Sequence, residues 1–230
     1  MLSVAEQTGT DIVCGRMIES RTPERSYKKL SVIEAQAPQC KALRGLDGYK
    51  WLLYGKIQPS PHAKLYRRSV LNGHPFPEKS YAEDLELNLK LFEKSRYVTA
   101  ILEPFVEIYA VSEDGLMHKK YDDKKREGLH IIRGIYEKRA KTKDKSLKKA
   151  ISAGVFMHSV GLIMNFNGQQ ELRKQYRLDY RELKRLIRRT CFSVAHDKNA
   201  LPEQKRYALA ACVSVRVMLK MMADANKKVS

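Results

Sequence analysis

Two carboxylates stand side by side in Tyr81-Ala82-Glu83-Asp84-Leu85, after a Pro75-Phe76-Pro77 turn and ahead of Leu85, Leu89 and Phe92 at helical spacing. Free backbone N–H groups and the helix dipole favour acids at such a place, so plain capping accounts for the pair. The same place suits a general base, because a carboxylate on a rigid first turn can be held within reach of a proton. Asp122-Asp123 reads as a helix start on the same grounds. The four cysteines, Cys14, Cys40, Cys191 and Cys212, lie too far apart in sequence for a metal knuckle or a redox pair, and read as buried thiols in a reducing compartment. Trp51 sits in an apolar run and reads as core, with stacking on a sugar ring as the alternative. His74, His130, His158 and His196 have no partner set in the sequence.

The net charge of +18 is unevenly placed. Residues 1–124 hold 19 Lys and Arg against 17 Asp and Glu; residues 125–230 hold 25 against 9. The second part is therefore a basic module that attracts polyanions, whether nucleic acid, anionic lipid or phosphate-bearing substrates. It has no zinc pattern, Gly-rich binding loop or aromatic platform, so nucleic acid ranks last. The Arg- and Lys-rich face of 171–190 (Arg173, Lys174, Arg177, Arg181, Lys184, Arg185, Arg188) could rest on an anionic bilayer or be plainly solvated. The apolar runs Ile151–Met164 and Tyr207–Val215 fall short of the ~18 residues of a membrane helix. No secretory signal opens the chain. The expected location is cytoplasmic, or peripheral on the inner face of the cytoplasmic membrane.

The elements that must position these residues divide into an α/β part, to about residue 115, and a helical remainder. Met1–Gln7 reads as the end of a helix stopped at Gly9, and Asp11–Cys14 as a short buried strand, an arrangement suggesting that something precedes it. Residues 19–45 read as a polar surface excursion and Gln58-Pro-Ser-Pro61 as a loop. Ala63–Leu71 reads as a short helix, Glu83–Phe92 as an amphipathic helix, and Tyr97–Leu102 and Phe105–Val111 as strands. Helices are then expected over Asp122–Arg139, Ile151–Met164 and Glu171–Arg189, with a last one from Pro202 to about Ala223. A Lys-rich link is expected over Ala140–Lys149.

In order, His62-Ala-Lys64-Leu65-Tyr66-Arg67-Arg68, Phe76-Pro77-Glu78, Tyr81-Ala82-Glu83-Asp84 and Leu91-Phe92, followed by two strands, resemble the family 2 glycosyltransferases of the GT-A fold, which build bacterial surface polysaccharides. The resemblance covers about residues 1–135. It implies a partial GT-A-like mixed sheet with helices over 1–124, the acceptor side of the domain, followed by a basic helical region over 125–230. It implies inverting transfer of a sugar from a nucleotide-sugar donor to a saccharide or lipid-linked acceptor. Asp84 would be the general base, with Glu83 beside it. His62 and His118 would flank the cleft, and Lys64 and Arg67 could contact a phosphate-bearing donor or acceptor. The complete family enzyme is expected to use a divalent metal, Mn or Mg.

The departures are equally specific. No Asp-x-Asp occurs, so no complete metal site is identifiable, and the strand–helix units that would hold the nucleotide are not in the chain. Where the family's closing loop usually reads Gly-Ser-Ile-Thr, this chain has Gly115-Leu-Met-His118. The expectation is a glycosyltransferase-like protein that is incomplete and inactive alone, with a separate donor-binding half as its partner. The alternatives are a non-catalytic remnant or a basic nucleic-acid-binding protein. The strand at Asp11–Cys14 is expected to be a poorly supported edge.

Overall fold

The computed structural model describes residues 1–20, 38–73, 81–110 and 120–227. It is a mixed α/β architecture: a small four-stranded sheet followed by a largely helical region. Packing divides the chain into two units, one of residues 1–78 and 83–118, the other of 79–82 and 119–230.

In the first unit, helix α1 (Leu2–Thr8) ends on Gly9 at φ 59°, a left-handed turn that suits a residue without Cβ. Strand β1 (Ile12–Ser20) follows. Strand β2 (Gln39–Arg44) leads directly into helix α2 (Gly45–Leu53). The short strand β3 (Lys64–Tyr66) and a single turn α3 (Arg68–Leu71) follow. Helix α4 (Glu83–Lys94) and the long strand β4 (Tyr97–Ala110) complete the unit as described.

The strand order is β2-β4-β1-β3. Strand β1 runs parallel to β4, with Ile12 opposite Val98, and antiparallel to β3, with Cys14 opposite Lys64. The segment expected to be a poorly supported edge is therefore central. Ile12, Val13 and Cys14 are buried, because β4 and β3 supply the neighbours on its two sides. Each such apolar side chain contributes roughly 1.5–3 kcal/mol by leaving water.

Two expected strands are one. Strand β4 runs unbroken through Pro104, and the irregularity falls there: Cys14 pairs with Ala100 but Arg16 with Phe105. A proline has no N–H for the ladder, so the pairing slips around it. Arg16 covers the slip, donating to Leu102 O at 3.0 Å and to Glu103 Oε1 at 2.7 Å.

The helical unit consists of α5 (Asp123–Lys141), α6 (Lys145–Met164), α7 (Gln170–Gln175), α8 (Arg177–Ala195), α9 (Pro202–Val213) and α10 (Val215–Lys227). Asp122 caps α5, accepting from Lys125 N at 2.9 Å, and Asp144 caps α6, accepting from Ser146 N at 2.7 Å. The expected link over 140–149 shrinks accordingly, because the Asp144 cap starts α6 inside it. Helix α6 is long and apolar enough to cross a membrane by length and composition, and 61% of its apolar window is buried inside the protein.

Two helices expected to be continuous are broken. Tyr176, at φ −104° and ψ 41°, separates α7 from α8. Its ring is buried edge-on to Tyr121, at 5.1 Å between centroids, with the Arg126 guanidinium 5.2 Å from its centre. Ser214 separates α9 from α10 in extended conformation, and its hydroxyl accepts from Arg216 N at 3.1 Å. That bond satisfies one of the free donors of a new helix start.

Candidate functional site

The site forms where β3 passes the first turns of α4. Tyr66, on β3, donates its hydroxyl to Asn88 Oδ1 at 2.8 Å. The Asn88 amide donates to Asp84 O at 3.1 Å and to Pro59 O at 2.6 Å. Asn88 is fully buried, so each of these bonds spares a desolvated polar group and fixes the register of strand against helix. Leu85, Leu89, Leu91 and Phe92 anchor the other side of α4 in the core.

Lys64 is the cation of the site. It is half-buried, and its ammonium donates to Ser60 O and to His62 O. Burial pushes its pKa down, while Cys14, Asp84 and Glu107 favour the charged form. The side chain thus stands between β1, α4 and β4. Cys14, its neighbour across the strands, has its thiol raised to about 12, by burial first and against the pull of Lys64. It is a buried neutral thiol, not a nucleophile at neutral pH; Cys191 is buried as well, but Cys40 and Cys212, expected to be buried, are exposed.

Glu107 is the residue that the sequence reading missed. Its Oε1 lies 3.0 Å from His62 Nδ1, and its Oε2 accepts from Ala63 N at 2.6 Å. The His62 ring also packs edge-on against Tyr109, 5.5 Å between centroids. One carboxylate on β4 therefore fixes both the imidazole and the backbone that delivers Lys64. The signal was present in the alternation of Glu107 with Tyr109 along β4, but pairing across 45 residues cannot be read from either segment alone.

Asp84 and Glu83 occupy the first turn of α4 and are half-buried. Asp84 Oδ1 accepts from Leu85 N at 2.6 Å. Arg67 reaches the turn between α1 and β1. Its guanidinium donates to Gly9 O at 2.8 Å and Thr10 O at 3.3 Å, and pairs with Asp11 at 3.4 Å. It thus clips the turn between α1 and β1. His118 and the Phe76-Pro77 turn lie outside the described residues, as does His74. Trp51 is half-buried on α2, with the ammonium groups of Lys41 and Lys56 over its ring at 5.0 and 5.6 Å.

Backbone strain marks both arms of the site. Among the described residues, the non-glycine residues at positive φ are Ala63 (52°) and Ala82 (59°). One immediately precedes Lys64; the other immediately precedes Glu83-Asp84. A left-handed alanine costs roughly 1–2 kcal/mol, and such outliers persist where the surroundings hold them. Replacement by glycine relieves that strain but adds ~0.5–1 kcal/mol of chain entropy to the folding cost. Ala63→Gly and Ala82→Gly are therefore each expected to stabilise the fold by about 0.5–1 kcal/mol. Denaturant midpoints check this, and a loss of stability in both variants would show that neither backbone is strained.

Among the described residues no group of three or more His, Cys, Asp and Glu could hold a metal ion. Asp84 and Glu107 both favour the charged form of Lys64, whose ammonium donates to Ser60 O and His62 O. The described residues therefore offer no set that fits the divalent ion that the family resemblance implies. Neither a family model nor a curated protein matches this chain.

Proposed function

We propose that the chain is a glycosyltransferase-like protein contributing the acceptor side of a GT-A-type site, with Asp84 as the base for the acceptor hydroxyl. An alcohol is a weak nucleophile, and a carboxylate in hydrogen-bond reach takes its proton as the new bond to the sugar forms. Direct displacement by that oxygen inverts the donor carbon. The observation that carries the reading is that strained backbone, at Ala63 and at Ala82, immediately precedes Lys64 and Glu83-Asp84, and that Asp84 is among the groups favouring the charged form of Lys64. Strain of this kind accompanies sites where side chains must be held in place.

In this reading Lys64 and His62 serve the acceptor or a phosphate that it carries, and Glu107 positions both. Glu83 borders the base. The nucleotide-sugar donor is held by a separate half, and the acceptor is a saccharide or a lipid-linked sugar. A lipid-linked acceptor would bring the basic helical unit to an anionic membrane surface on the cytoplasmic side.

The test is product formation from a panel of nucleotide sugars with Mn²⁺ or Mg²⁺. The chain alone should give none, and a GT-A donor-binding half, fused upstream, should restore transfer. Turnover by the unfused chain would overturn the need for a second half. Failure of every donor half to restore transfer, with acceptor sugars also failing to bind the chain, would overturn the acceptor-side reading itself.

A further inference from the structure

Among its described residues, the helical unit gathers positive charge where the neighbouring carboxylates are paired with other cations. Tyr180, on α8, is held by its neighbours: Phe166 packs edge-on to it at 5.3 Å, and Phe166 in turn lies 4.4 Å from Tyr121. Two cations lie over the Tyr180 ring, the Arg173 guanidinium at 5.4 Å and the Lys184 ammonium at 5.7 Å from its centre. Arg173 is further fixed by donating its Nε to Phe166 O at 3.0 Å. Arg188 follows Lys184 one helical turn along α8. Arg216, on α10, also acts on Lys184.

Lys184 is half-buried, and after burial the charges that act on it are those of Arg188, Arg216 and Arg173, all positive. The acids nearest in sequence are committed elsewhere. Glu171 pairs with Lys174 at 2.8 Å, Glu182 with Arg185 at 2.5 Å, and Asp179 with Arg126 at 2.8 Å. Placing a lysine among three arginines without an acid is unfavourable in the isolated protein, since like charges at close range repel. A multiply charged anion reverses that sign. Guanidinium groups present paired donors matched to phosphate oxygens, and an ammonium adds a point charge.

We propose that Arg173, Lys184, Arg188 and Arg216 form a binding site for a phosphate-bearing anion, either a free diphosphate or a lipid headgroup phosphate. The aromatic stack beneath Tyr180 makes it a built site, because two of its cations are seated on a ring that the core holds in place. The site stands on the helical unit alone and does not rest on the sugar-transfer reading.

The experiment uses the full chain. Pyrophosphate binding is measured calorimetrically against sodium chloride of matched ionic strength. Flotation with vesicles of phosphatidylglycerol, against phosphatidylcholine, distinguishes the lipid source. The variants are Lys184→Gln with Arg188→Gln, and separately Arg216→Gln at an exposed position; the control is Lys145→Gln with Lys149→Gln, which removes equal charge from exposed positions at the start of α6. Circular dichroism checks the fold of each.

The site variants should weaken pyrophosphate or vesicle binding on the order of tenfold, and the control by less than about twofold, because paired charge-assisted bonds are lost in one case and distant screened charge in the other. Without anion, Lys184→Gln should raise the thermal midpoint, since it removes a repelled charge. Binding to vesicles alone would assign the site to a lipid phosphate. Equal weakening by site and control variants would show a diffuse field, and no binding beyond matched chloride in either arm would remove the site altogether.

Discussion

Asp84→Asn should reduce sugar transfer by ~10²–10⁴-fold in the reconstituted enzyme, the range that a positioned general base supplies. The amide keeps the size and the bond to Leu85 N but cannot take a proton. The fold should survive, because the loss of one charge from the first turn of α4 costs only about 0.3–1 kcal/mol. Glu83→Gln should cost less, since in the proposed reaction Glu83 borders the base and does not receive the proton. The measurement is initial rate at saturating acceptor, with binding measured separately. A loss confined to affinity would make Asp84 a contact for the acceptor and not its base. Unchanged turnover would remove it from the chemistry.

Gly45→Ala is expected to be the most damaging single methyl in the sheet unit. Gly45 opens α2, and its N–H donates to Arg96 O at 2.9 Å. A Cβ built there would lie 1.6 Å from Ser95 O and 2.7 Å from Ser95 C. The obstacle is main chain at the junction of α4 and β4, so no rotamer change can make room. Overpacking that a side chain can absorb costs roughly 1–3 kcal/mol, and a clash with backbone should reach about 3–5 kcal/mol. Chemical denaturation should show it as a shift of midpoint with little change in slope. A loss below about 1 kcal/mol would mean that the approach of α2 to the α4–β4 junction is looser than described.

The site was half legible in the sequence. Glu83-Asp84 could be placed on a helix start because a turn, two acids and an apolar period agree over ten residues. Lys64 was picked out too, but on a helix. Lys64-Leu65-Tyr66 is too short to show alternation, and its strand state is conferred by Ile12–Cys14 across the sheet. Strand β2 was missed for the related reason that five of its six residues are exposed, leaving Leu43 as the only buried position in the run. The breaks at Tyr176 and Ser214 had local signals of unequal value. A serine between two valines is a readable helix start. The break at Tyr176 depends on packing against Tyr121 and Arg126, which no window of sequence contains. Glu107 stood on a legible strand, but its role depends on a partner 45 positions away.

The parallel pairing of β1 with β4 also sets when the site can come into being. Ile12 meets Val98 only after the intervening chain has been closed into a loop, and long loops make sheet formation slow. The helical unit is built mostly from neighbouring segments and has no such delay. On refolding, helical signal should therefore return before Lys64 and Asp84 share a surface. Circular dichroism in the stopped-flow and a reporter at Trp51 would separate the two events, and coincident single phases would refute the order. During synthesis, which runs at about 5–20 residues per second, β1 must wait for β4 with its apolar side chains unsheltered. The growing chain therefore passes through a period of several seconds in which a strand that is central in the finished sheet is an exposed liability.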